Sequence, residues 1–249
     1  VGSHFYAAGV EPTDVPADVP DEPTGAGPSA GPEYREGAVD LLGVLAYGEL
    51  MAFERLAEDA RLAPTLADKV HMVSMAAIQY DDFAKVRARL AELDTDVMVA
   101  MEPFHAPFDA FHDHSRPNDW YEGLVKAYVG DGFAADFYRE VAAFVDTDTR
   151  TLVHEVLGDG GHSEFVVDRV RGVIERQPQI AGRLALWGRR LVGEALSQAQ
   201  RVAADRDALT ALLTGTVDRP GMDLAAISRM FSRLIENHTG RMKRLGLQS

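Results

Sequence analysis

The segment Ala127-Tyr128-Val129-Gly130-Asp131-Gly132, followed about one helix later by Asp159-Gly160-Gly161-His162, decides how this chain reads. An earlier stretch repeats its outline: Ala46-Tyr47-Gly48-Glu49, then Gln79-Tyr80-Asp81-Asp82. The acid follows an Ala-Tyr dipeptide and a glycine in both. Glu49 precedes Gln79 by 30 residues, and Asp131 precedes Asp159 by 28. Such a period in a helical sequence points to a duplicated helix pair. Each copy offers one acid on one helix and a polar i, i+3 pair on the next. A four-helix bundle builds a two-metal carboxylate site from these parts: one acid from each of two helices and an acid-x-x-His pair from each of the other two. The second copy fits this pattern. The first has Gln79 in place of the acid and Asp82 in place of the histidine.

Working outward, the apolar spacing is helical almost throughout. A first helix is expected over Glu33 to Leu62, ended by Pro64, with Leu42, Leu45, Glu49, Phe53 and Leu56 inward. A second is expected over Thr65 to Leu93, with Val73, Ala76, Tyr80, Phe83, Val86 and Leu90 inward. Asp94 to Asn118 reads as a long crossover connection, with three prolines and three histidines. His105, His112 and His114 are placed there on an exposed polar loop. A third helix follows from an Asp119 N-cap to Val145, and a fourth from Asp148 to Arg176. Two more helices are expected, over Pro178 to Leu213 and Leu224 to Leu245. Their apolar faces cover the bundle or make a homodimer contact. The fold expected is therefore all-α: a four-helix bundle from two helix-pair repeats plus two C-terminal helices, over residues 33–249. Residues 1–32 hold six prolines and five acids without Lys or Arg. They read as an acidic tail that cannot bury enough apolar surface to offset its ordering entropy.

Composition narrows the function. The 249 residues carry a net charge of −14. A phosphate-backbone binder needs a basic footprint, so nucleic acid is disfavoured as a partner and a small molecule is expected. No apolar run approaches the roughly 20 residues of a membrane span. No leader pattern is visible, and a cytoplasmic location is the expectation. There is no cysteine, so any metal is held by oxygen and imidazole, which suits iron, manganese or zinc.

Glu49, Gln79, Asp82, Asp131, Asp159 and His162 interrupt apolar stripes. Converging buried acids raise one another's pKa, and burying each costs several kcal/mol unless a cation is present. No inward Lys or Arg is expected on these helices, so these six residues are the expected metal ligands. Asp131, Asp159 and His162 would hold the main ion. Glu49 and Asp82 would bind or bridge to a second ion, more weakly or with preference for a harder metal such as manganese. Glu155, one turn before Asp159, is expected beside the site. Tyr47, Tyr80 and Tyr138 line a pocket or pack in the core.

Leu45-Ala46-Tyr47-Gly48-Glu49, the run from Trp120 to Asp131, Asp159-Gly160-Gly161-His162-Ser163-Glu164-Phe165-Val166 and the run from Leu186 to Gln198 resemble the ferritin-like proteins akin to tRNA 2-methylthio-isopentenyladenosine hydroxylase. The resemblance spans about residue 33 to the end. It implies a ferritin-like fold, a non-haem di-iron centre and activation of dioxygen, with Glu49, Asp131, Asp159 and His162 as ligands. Gln79 and Asp82 stand where that family carries its first acid-x-x-His pair. The leading expectation is a metal-dependent oxygenase or oxidase acting on a small organic substrate, with iron (two ions or one) or manganese. The alternatives are a non-catalytic scaffold with a degenerate site, and a tRNA-modifying hydroxylase.

Overall fold

The computed structural model describes residues 31–158, 162–216 and 219–248. The expected acidic tail, apart from its last two residues, and Asp159 lie outside the described residues. The elements are α1 (Pro32–Asp59), a 3-10 turn (Ala60–Leu62), α2 (Leu66–Glu92), α3 (Val97–His114), α4 (Trp120–Val125), a π-helical turn (Lys126–Gly130), α5 (Asp131–Ala142), α6 (Thr147–Val156), α7 (His162–Arg176), α8 (Ile180–Asp205), α9 (Asp207–Thr214) and α10 (Leu224–Arg244). A two-residue antiparallel ladder, β1 (Gly215–Thr216) with β2 (Arg219–Pro220), links α9 to α10. The all-α bundle expected from the periodicity is therefore present.

Local chemistry sets the helix ends. The Thr65, Asp119 and Asp223 side chains accept from backbone N–H groups one turn on, satisfying donors that a helix start leaves unpaired. Pro32 opens α1, where its missing N–H costs nothing. Gly246 follows α10 at a φ of +77°, a left-handed position that glycine takes without strain.

Five expectations need correction. The helix expected over Pro178 to Leu213 is two, α8 and α9, divided at Arg206. The crossover connection is largely helical: α3 fills it despite Pro103 and Pro107. Ala100, Met101 and Phe104 on α3 are buried against α1 and α2, so packing outweighs the prolines' cost to the helix. The third helix is not uniform, since a π-helical turn separates α4 from α5. The fourth ends at Val156 and resumes at His162, with Leu157 and Gly158 outside helix. On α2 the expected stripe holds at Ala76, Phe83, Val86 and Leu90 but not at Val73 and Tyr80, and Met72 and Met75 face inward as well. Met72, Met75, Ala76, Phe83, Val86 and Leu90 are buried, whereas Val73 is 50% and Tyr80 45% exposed.

Two apolar clusters hold the bundle. One joins Leu56, Met72, Met75, Trp120, Val129, Phe133, Val166 and Leu184. The other joins Leu41, Leu45, Phe83, Val86, Phe104, Val141, Val156 and Leu209. On α2 the switch from one cluster to the other falls between Ala76 and Phe83, the interval that holds Gln79 and Asp82, and between α6 and α7 it falls between Val156 and Val166, the interval that contains His162. On α1 it falls after Met51, just past Glu49, and on α5 at Phe137, beyond Asp131. Gln79, Asp82 and His162 thus lie where the two apolar halves meet, with Glu49 close by.

Candidate functional site

Glu49 sits mid-way along α1 and is 6% exposed. Its Oε2 is buried and has no hydrogen-bond partner among the described residues. Such an atom bears the full cost of lost hydration. Burial pushes its carboxyl well above the ordinary range, Asp82 and Asp131 push it further, and Lys85 opposes them.

On α2, Gln79 faces the same interior space as Glu49. Asp82 is 5% exposed, but it does not line that space. Its Oδ1 accepts from Lys85 Nζ at 2.9 Å, and Lys85 also reaches Glu155 Oε1 on α6 at 3.0 Å. Hydrogen bonds to these two acids hold the Lys85 ammonium above its usual value. Glu155 thus stands beside the site, in contact with Asp82 through Lys85.

Asp131 opens α5 directly after the π-helical turn. π-turns add a residue and re-aim side chains, often at functional sites. Here Lys126, at the head of the turn, points inward. It is 5% exposed, donates to the Ser115 carbonyl at 2.9 Å, and lies 5.3 Å from the Phe111 ring centroid. Burial lowers its ammonium to about 8, and Asp131 and Asp59 oppose that shift. Asp131 is enclosed by the bundle, yet its carboxylate keeps accessible surface because it faces the interior space. Loss of bulk solvation raises it to about 7, with Lys126 pulling down and Asp59 pushing up. Asp59 itself is raised to about 6, first by burial. Tyr138, two turns along α5, is raised by burial and then by Glu49 and Asp131.

His162 begins α7 and lines the same space. Its ring meets His71 of α2 edge-on, with centroids 5.7 Å apart, and His71 stacks on Phe165 at 3.8 Å. Among the described residues, no three acidic or histidine side chains approach closely enough to hold a metal ion as they stand.

That interior space is a cavity of about 630 Å³, within the range that encloses small molecules. Glu49, Gln79, Asp131 and His162 lie on its wall, with Tyr138 and His112. Most of the rest is apolar, including Phe108, Phe111, Leu196, Leu209, Met230 and Phe231. A few acids and imidazoles on an apolar wall suit the binding of an uncharged organic molecule beside a charged centre.

Three residues were not foreseen at this site. His112 stands on α3 in the cavity wall, not on an exposed loop. Burial, then Lys126 and Arg55, hold it neutral, with its value lowered to about 3. The spacing of His112 from the buried Phe104 gave a helical signal, but the prolines masked it. Lys85 and Lys126 overturn the expectation that no lysine faces the acids. Lys85 was legible as the third member of Gln79-x-x-Asp82-x-x-Lys85. Lys126 was not, because an ideal helix does not include the extra residue of the π-turn. Among the expected tyrosines, Tyr138 lines the cavity. Tyr47 donates to Asp109 at 3.1 Å, and Tyr80 is largely exposed.

No described helix is long and apolar enough to cross a membrane. Among solved structures, the chain is similar to a Synechococcus protein described as "Protein 19 with aldehyde deformylating oxidase activity". The two share 21% identity over 88% of this chain and 93% of that one, with a TM-score of 0.65. At that identity the likeness speaks for the fold. No curated protein matches. A family model described as "Ferritin-like domain, actinomycetes" matches residues 32–216. That span includes all six residues expected at the site, and the chain belongs to this ferritin-like family.

Proposed function

We propose that this protein is a metal-dependent oxidoreductase of the di-iron type, using dioxygen on a small, mainly apolar organic molecule held in the central cavity. One observation carries the reading: Glu49 keeps a buried carboxylate oxygen without a partner among the described residues, on an apolar cavity wall that it shares with Asp131 and His162. The chemistry of these donors fits a hard divalent ion. A cation would satisfy the orphaned oxygen and return both raised carboxyls to their ionised form. Glu49, Asp131 and His162, with Asp159 of the adjoining segment, are the proposed ligands, and Gln79 is a neutral oxygen donor on the same wall. Iron, or manganese in its place, would supply electron transfer to dioxygen when bound.

The chain's own residues have separable tasks. The apolar wall excludes water and orients the substrate by shape, which strengthens every charge interaction inside. Tyr138, kept protonated beside two acids, presents a hydroxyl at the substrate's polar end. His112, kept neutral, adds no charge to the cavity. The activity printed for the Synechococcus protein adds aldehydes to the substrates worth testing. A tRNA substrate is not proposed: the net charge of −14 lacks the basic footprint that a polyanion requires.

The test is metal analysis of the protein after anaerobic reconstitution with Fe(II), coupled to oxygen uptake in the presence of medium-chain aldehydes and related apolar compounds. Retained iron with substrate-dependent oxygen uptake is expected. Below about 0.2 equivalents of retained metal, with no change in melting temperature on chelation, the protein is a non-catalytic scaffold and the proposal fails.

A further inference from the structure

We propose that Lys85 is a built-in cation standing in for one of the two metal ions that a bundle of this plan is arranged to hold, so the site takes a single ion. The inference rests on the metal-binding reading above and concerns how many ions that site holds.

The first helix pair supplies three positions toward a second ion, and two are poorly suited to it. Gln79 is neutral and bridges two metals poorly. Asp82 is buried and does not line the cavity, with Oδ1 committed to Lys85 at 2.9 Å. Lys85 is fixed from the other side as well, by Glu155 at 3.0 Å across the α2–α6 contact. Its side chain is 43% exposed and that of Glu155 is 59% exposed, so solvent carries much of the outer charge. The ammonium's main buried partner is Asp82.

Charge balance points the same way. With Lys85 neutralising Asp82, the carboxylates left among the proposed ligands are Glu49, Asp131 and Asp159, one fewer than the four that would balance two divalent ions. A second divalent ion would meet an ammonium whose charge already acts on Glu49, and like charges at short range repel. Set against the acid-x-x-His pair of the general bundle plan, the first copy has an amide at 79, an acid at 82 and a fixed positive charge one turn later at Lys85.

The experiment counts ions in the full chain. Protein stripped with chelator is titrated with Mn(II), and bound metal is measured calorimetrically and by metal analysis after desalting. The native sequence is expected to bind one ion per chain, Lys85→Arg one, and Lys85→Ala two. Lys85→Met, which keeps the packing of the stem, is expected to match Lys85→Ala if the alanine variant proves unstable. Two ions in the native protein, or one in both neutral variants, overturn the role of Lys85 and leave the metal-binding reading intact. No ion in the native protein or in either neutral variant overturns the metal-binding reading itself.

Discussion

The two helix pairs share one outline in sequence and meet the same electrostatic problem differently. In the α1/α2 pair, Asp82 is buried with its own ammonium, and the clasp from Lys85 to Glu155 closes the charge locally. In the pair formed by α5 and α7, Asp131 and His162 stay on the cavity wall, and Lys126 sits behind Asp131 without a hydrogen bond between them among those found. The first arrangement resembles a structural ion pair. The second leaves a carboxyl near 7, strained by burial and available to a ligand. Glu49 belongs to the first pair by sequence but to the second by behaviour, since its free oxygen faces inward. What separates the halves is whether a lysine reaches the acid directly, more than how many acids each contains.

The largest expected effect tests that division. Asp131→Ala and His162→Ala should each weaken Mn(II) binding by about 100-fold or more, since loss of even an outer partner of a metal ligand costs roughly 10–100-fold. Asp82→Asn should weaken it by less than about tenfold, because Asp82 is assigned to Lys85 and not to the ion. Calorimetric titration of the three variants checks this, and a loss at Asp82 equal to that at Asp131 would erase the distinction between the halves. A smaller effect follows from linkage. At a metal concentration one hundred times the Kd, a native-state ligand adds about 2.7 kcal/mol, or roughly 5–10 °C in melting temperature for a domain of this size. Asp131→Ala should abolish that rise and Asp82→Asn should retain most of it, as read by thermal melts with Mn(II) and with chelator.

The inward polar residues were legible because each one breaks an apolar stripe, and a stripe is visible without coordinates. Glu49, Gln79, Asp131 and His162 were found that way and share one cavity. Asp82 was found by the same signal, yet its partner decides its role, and a partner three residues along a helix can be drawn inward or outward. Lys85 lies at such a position, and its sequence context does not distinguish a solvated lysine from a charge clamp. The third and fourth helices were read as continuous because their periodicity carries across both interruptions. A π-turn shifts the phase by about one residue, within the tolerance of any apolar pattern. Lys126 and His112 depend on that shift or on a proline-containing helix, so their burial required the packed structure.

The smallest expected effect is the most specific to Asp131, and it appears without metal. An ordinary aspartate in the unfolded chain titrates near 4, and burial raises the folded group to about 7. The folded value is the higher one, so the ionised carboxylate costs stability in full above pH 7, and the cost fades as pH falls from 7 toward 4. A shift of this size is nominally worth about 4 kcal/mol, but the carboxylate faces a cavity that admits solvent, and screening leaves about 1–2 kcal/mol. Asp131→Asn should therefore melt above the native protein at pH 8 in the presence of chelator, by roughly 2–6 °C. At pH 5 the gap should narrow, because the native carboxyl then carries a proton. His112 works the other way below about 6.5, since its buried ring stays neutral while the unfolded chain takes up a proton. That contribution is common to both proteins and cancels in the difference. A gap that stays constant from pH 5 to pH 8 would mean that Asp131 is already compensated, as Asp82 is, and the two halves would then differ in ligands but not in electrostatics.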